Sequence, residues 1–114
     1  ASGREWVTGM LDGVERTCED AAIGKLAAVA AGYYADIFAS AFASSNGPTL
    51  GPLINRGNYL RVAVVGSVCE QLHQASQSNM QVISLGAGFD TRFWQLRAVG
   101  ITPRRYIEID KPAV

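Results

Sequence analysis

The stretch Gln81-Val82-Ile83-Ser84-Leu85-Gly86-Ala87-Gly88-Phe89-Asp90-Thr91-Arg92-Phe93-Trp94 constrains the fold more than any other part of this 114-residue chain. Val82, Ile83 and Leu85 form a short, partly β-branched apolar run bounded by turn residues. Such a run predicts a strand buried on both faces. Gly86 and Gly88 then leave the backbone bare at the strand's carboxyl end, where a ligand can approach closely. Asp90 is placed to cap a helix running from Thr91 to about Ala98. A helix start offers free N–H groups to ligand oxygens. A second apolar run, Arg105-Tyr106-Ile107-Glu108-Ile109-Asp110, predicts a partner strand. Ligands of open α/β sheets sit just outside the carboxyl ends of such strands.

The spacing narrows the ligand. A dinucleotide fingerprint requires G-x-G-x-x-G. Gly86 and Gly88 fit its first two positions, but Thr91 occupies the third. That disfavours a pyrophosphate, and with it an NAD-dependent oxidoreductase. A phosphate-free nucleoside such as S-adenosylmethionine fits better. Asp110, at the end of the second strand, is placed to accept hydrogen bonds from both ribose hydroxyls. Glu108 shares its face by strand alternation.

Ten basic and ten acidic side chains cancel. Neither a field for nucleic acid nor a polybasic membrane patch is expected. No apolar run has the length of a transmembrane helix. Cys18 and Cys69 match no metal spacing and are expected as free thiols in a reducing cytoplasm. His73 is the only histidine and has no nucleophile at a recognisable spacing. It is expected at a helix end, on the surface. A doubly wound sheet takes about five strands or more, and two are legible here. The chain therefore reads as the N-terminal part of a longer, monomeric enzyme.

The region before Gln81 reads as helical. Residues 1–14 carry weak helical spacing through Trp6, Val7, Met10, Leu11 and Val14, with Gly9 and Gly13 against it. Thr17-Cys18-Glu19-Asp20 resembles a capping box that starts a helix through Ala31, stopped by Gly32. Lys25 is its one interior charge, an ordinary solvated lysine on this ground alone. Asp36 is expected to cap a helix from Ile37 to about Ser44, ended by Ser44-Ser45-Asn46-Gly47-Pro48. The longest helix is expected from about Arg56 to Ala75, with Leu60, Val64, Val65, Val68, Cys69 and Leu72 as its packed stripe. Arg61 lies beside that stripe. It needs either an anionic partner or an exit to solvent.

Three blocks together resemble the leucine carboxyl methyltransferase family. They are Asp20-Ala21-Ala22-Ile23-Gly24-Lys25 with Gly32-Tyr33; Ile54-Asn55-Arg56-Gly57-Asn58-Tyr59-Leu60-Arg61-Val62; and Leu85 to Trp94 with Tyr106 to Asp110. The resemblance implies an α/β fold: an N-terminal helical lid over residues 1–79, then from residue 80 the first two parallel strands of a Rossmann-like methyltransferase sheet. It implies S-adenosyl-L-methionine as cofactor, held by Lys25, Arg61, Gly86 and Asp110. The implied acceptor is the C-terminal leucine carboxylate of the type 2A protein phosphatase catalytic subunit. Within the same resemblance, a tRNA wybutosine-modifying or small-molecule O-methyltransferase is the nearest alternative. A non-catalytic helical interaction module is the alternative outside enzymes. Leu53 departs from the family, which often has an acidic residue before its I-N-R-G block, and Gly24 replaces a larger residue. Arg56 is expected to be structural, and Asn55 has no assigned role.

Overall fold

The computed structural model describes residues 2–43 and 47–112, with side chains from Arg16 onward. The order of elements is α1 (Ser2–Ala30), a 3-10 turn (Ala39–Ala41), α2 (Pro52–Ala75), β1 (Gln81–Leu85), α3 (Arg92–Ala98) and β2 (Arg105–Ile109). The fold is mixed α/β. β1 and β2 pair in parallel, Gln81 opposite Arg105 and Leu85 opposite Ile109. α3 makes the crossover between them, as parallel pairing requires.

α1 runs through the expected start at Thr17 without interruption. The capping-box reading is therefore corrected. Val14-Glu15-Arg16 contains no breaker, and two glycines cost a long helix only about 1 kcal/mol each. The weak stripe from Trp6 to Val14 involves side chains outside the described residues. The expected stop is observed. Gly32 takes φ +82°, and its N–H donates to the Val29 carbonyl while the Tyr33 N–H donates to Ala28, both at 3.0 Å. This paired closure satisfies carbonyls that the helix end leaves open.

The expected helix from Ile37 to Ser44 reduces to the short 3-10 turn, and Ile37 is 81% exposed. Asp36 does accept the Phe38 N–H at 2.9 Å. Its remaining capacity goes to α3, so the chain bends here and does not propagate a helix. The turn read at Ser44–Asn46 lies outside the described residues. α2 starts four residues earlier than expected, with Gly51 as N-cap and Pro52 in its first turn, where proline loses no hydrogen bond.

α1 packs along α2. Between them, a side-chain carbon on Gly24 would stand 2.9 Å from the Asn58 amide nitrogen. The departure from a larger residue at position 24 is thus a place where the helices meet. The core lies at the other end of α2, where Cys69, Met80, Leu96 and Ile101 cluster with Val82 and Tyr106.

Two expectations of burial are corrected. β1 is half-buried only at Val82 and Ser84; Ile83 and Leu85 are exposed. On α2 only Cys69 of the anticipated stripe is buried, while Leu60, Val64, Val65, Val68 and Leu72 are about half exposed. The apolar patterns were correct about helix and strand, since periodicity follows backbone geometry.

Candidate functional site

β1 delivers the chain into a tight bend. Gly86 has φ +63° and Gly88 φ +53°, a region that costs a residue with a side chain about 1–2 kcal/mol. The Gly86 N–H donates to the Ile109 carbonyl at 2.8 Å, so the parallel ladder extends one step into the bend. Beyond it, Asp110 accepts the Gly88 N–H through Oδ2 and the Lys111 N–H through Oδ1 at 2.7 Å. These two backbone donors hold the fully exposed Asp110 carboxyl below its usual range. Asp110 therefore faces the glycine bend.

Asp90 ends the bend and reaches in two directions. Its Oδ1 accepts the Arg92 N–H at 3.3 Å, which caps α3 one residue later than expected. The same oxygen pairs with Lys25 Nζ at 3.1 Å. Of the helix start anticipated from sequence, the Arg92 N–H is thus taken by the chain's own carboxylate. Thr91 makes no side-chain cap. It is 2% exposed, and its hydroxyl donates to Asp36 Oδ2 at 2.6 Å.

These elements enclose a cleft of about 580 Å³ between α1, α2 and the bend, within the range of small-molecule sites. Lys25, Arg61, Ser84, Gly86, Gly88 and Asp90 are among its walls, with Cys18 and Arg92. Asp110 is not among the residues that line this cleft; it borders the bend and holds Gly88. Glu108 is paired with Ser84. Cys18 presses on the bend: a side-chain carbon on Gly88 would stand 3.2 Å from its sulfur. Both cysteines are free thiols.

The three cations of the cleft differ in what they already hold. Lys25 is paired with Asp90. Arg92 is 7% exposed and donates to the Val62 carbonyl at 2.8 Å and to Gln95 Oε1 at 3.2 Å. Arg61 is exposed, and among the described residues it makes no hydrogen bond or ion pair. Tyr34 donates its hydroxyl to the Lys25 carbonyl at 3.3 Å. Burial, with Asp36 nearby, pushes that hydroxyl up to about 12, so it stays a donor at neutral pH.

Sequence reasoning missed most of what fixes this site. Asp36 is 7% exposed and receives Thr91, Gln95 at 2.7 Å and the Phe38 N–H. Phe42 stacks on Phe89 at 5.8 Å and meets Trp94 at 5.6 Å. Together they fasten the segment after α1 to the bend. The signal at Asp36 was legible only as a local cap. His73 lies in the last turn of α2 and does not line the cleft. Asn55 donates to the Leu50 carbonyl at 3.0 Å, which anchors the loop before α2. Among the described residues no group of acidic, histidine and cysteine side chains could hold a metal. No helix among them is long and apolar enough to cross a membrane.

Comparison with known proteins adds an independent line. Residues 13–114 match the leucine carboxyl methyltransferase family. The chain is 39% identical over 103 residues to leucine carboxyl methyltransferase 1 of Bos taurus, covering 90% of this chain and 31% of that protein. The Rattus norvegicus protein of the same name is 35% identical over 103 residues, with the same coverage. A homologue from Arabidopsis thaliana is 38% identical over 98 residues, covering 85% of this chain and 29% of that protein. The chain thus spans under a third of the length of these relatives.

Proposed function

The chain belongs to the leucine carboxyl methyltransferase family, and from that premise we propose that it supplies the methyl-donor half of an S-adenosylmethionine-dependent carboxyl methyltransferase. In this reading Arg61 and Lys25 receive the cofactor's carboxylate, Gly86 lets its methionine portion pass the backbone, and Asp110 takes the ribose hydroxyls at the rim. Residues 1–79 act as a helical lid and residue 80 onward as the start of the Rossmann-like domain. The two free thiols suit a cytoplasmic setting.

The observation that carries the reading is the uncommitted Arg61 guanidinium in a cleft walled by the glycine bend. Asp90 offsets the charge of Lys25 and Arg92 donates to Val62 and Gln95, so Arg61 is the cation of the cleft whose donors are left for an anionic group. A planar guanidinium can grip a carboxylate with two parallel hydrogen bonds. Asp110 fits the ribose role because each oxygen, though it accepts one backbone N–H, has a further lone pair. Thr91 speaks against a dinucleotide: it is buried and bonded to Asp36, with no glycine for close passage of a pyrophosphate.

When bound, S-adenosylmethionine supplies an electrophilic methyl on a sulfonium. The acceptor of the proposed reaction is the C-terminal leucine carboxylate of the type 2A protein phosphatase catalytic subunit. A carboxylate is ionised at pH 7, so no general base is needed. The chain's own residues then have two tasks: to orient the donor and to keep water from it. The Lys25–Asp90 and Asp36–Thr91 contacts hold α1 and the following segment against the bend for both.

The test is calorimetric titration of a protein that contains this chain at the length of its relatives. S-adenosylmethionine should bind and NAD should not. Arg61→Ala should weaken S-adenosylmethionine by about tenfold or more, the loss of a charge-assisted contact. Unchanged affinity in that variant would sink the reading.

A further inference from the structure

We infer that Arg92 is a positioning residue that sets where the Arg61 guanidinium enters the cleft. This rests on the reading of Arg61 as a carboxylate partner. Arg92 arises from α3, yet its head group is buried in α2, where Nη2 donates to the Val62 carbonyl at 2.8 Å. Val62 is the neighbour of Arg61 on that helix, and all three residues line the same cleft. A helix is stiff over one residue, so a grip on Val62 places the Arg61 backbone as well.

Two features fix the grip. The first is a notch in α2. A side-chain carbon on Gly66 would stand 2.9 Å from Arg92 Nη1, so the guanidinium would have to shift from its seat on the helix if the residue were larger. The second is a buttress on the other side. Arg92 Nη1 donates to Gln95 Oε1 at 3.2 Å, and Gln95 Nε2 donates to Asp36 Oδ2 at 2.7 Å. The guanidinium is thereby oriented before any ligand arrives. Burying a cation in this way is costly unless its donors are used; here Nη2 is spent on α2 and Nη1 on the buttress, while the buried Nε has no partner among the described residues.

The experiment is a double-mutant cycle in a protein of the relatives' length, read as S-adenosylmethionine affinity by calorimetry, with Tm measured for each variant. Arg92→Gln alone should weaken binding about tenfold, while in an Arg61→Ala background it should cost less than about twofold. Equal losses in both backgrounds would overturn the inference, because a merely structural arginine would act regardless of Arg61. No loss on Arg92→Gln alone would overturn it too. If Arg61→Ala itself has no effect, the cofactor reading fails, and this inference with it. Gly66→Ala covers the case in which Arg92→Gln does not fold. It displaces the guanidinium but keeps its charge, and it should show the same dependence on Arg61. Arg92→Lys, with one ammonium able to reach Val62, should restore part of the affinity.

Discussion

Lys25 Nζ and Asp90 Oδ1 meet at 3.1 Å across the mouth of the cleft, joining α1 to the glycine bend from 65 residues away. The two side chains are 27% and 28% exposed, so solvent weakens the pair. Such pairs contribute about 0–1 kcal/mol to stability. The contact therefore matters more for charge than for fold.

Asp90→Asn separates those two roles. An asparagine oxygen can still accept the Arg92 N–H, but it no longer offsets the Lys25 charge. If Lys25 serves an anionic ligand, S-adenosylmethionine should bind a few-fold more tightly, by about 1 kcal/mol at most. The gain should fade as salt is raised. Calorimetric titration at two ionic strengths reads both. A loss of affinity, insensitive to salt, would mean that Lys25 is only a strut for the bend.

The two glycines of the bend should respond differently to alanine. At Gly86 the penalty comes from φ +63° alone, since no atom lies within 4 Å of the added carbon. About 1–2 kcal/mol of stability should be lost. At Gly88 the same strain is joined by a contact of 3.2 Å with the Cys18 sulfur, so Gly88→Ala should lose more. Cys18→Ala should rescue part of the Gly88→Ala loss and none of the Gly86→Ala loss. Urea unfolding of the three single variants and the two double variants checks this.

Asp36 should be the most sensitive acidic residue for stability. Its carboxylate is buried and accepts three hydrogen bonds, from Thr91, Gln95 and the Phe38 N–H. Asp36→Ala strands those donors, and about 3 kcal/mol should be lost. Thr91→Val removes two bonds, the one its hydroxyl donates to Asp36 and the one it accepts from Gln95, and should cost about 1–2 kcal/mol, while Thr91→Ser should cost little. Denaturant midpoints measure the series. A neutral Asp36→Ala would show that the segment after α1 is not fastened to α3 in solution.

The parts of this fold that were legible from sequence are those governed by local rules. The strand at Gln81–Leu85, the G-x-G bend, the partner strand and the stop at Gly32 all follow from apolar runs and glycine geometry. The boundaries that failed did so for stated reasons. The capping-box pattern at Thr17 is real but has no effect inside a helix already running from Ser2. Asp36 looked like a cap because its nearest donor is local, while its other partners lie 55 and 59 residues away. The burial of Arg92 depends on a notch at Gly66, and no spacing rule pairs those positions. Of the four residues implied by resemblance, Lys25, Arg61 and Gly86 line one cleft and Asp110 holds Gly88 of the bend beside it. Gly86 and Asp110 were legible from the glycine turn and the strand end, whereas Lys25 read as a solvated lysine and Arg61 as needing either an anionic partner or an exit to solvent, so their place in the arrangement came through the resemblance.

Acid should loosen the bend through Asp110. The Gly88 and Lys111 N–H groups favour the ionised carboxylate and hold its pKa below the ordinary value of 3.8. Folding therefore prefers the deprotonated form. The stability it contributes is complete above about pH 5 and is lost as pH falls through the lowered value. Asp110→Asn cannot titrate, so its unfolding free energy should fall less steeply below pH 4 than that of the unsubstituted protein. Urea unfolding followed by circular dichroism between pH 5 and pH 2 gives the two slopes. The difference between them isolates Asp110, because every other residue is the same in both proteins. Parallel slopes would mean that the carboxylate does not hold Gly88 in solution, and the proposed ribose contact would lose its support at the bend.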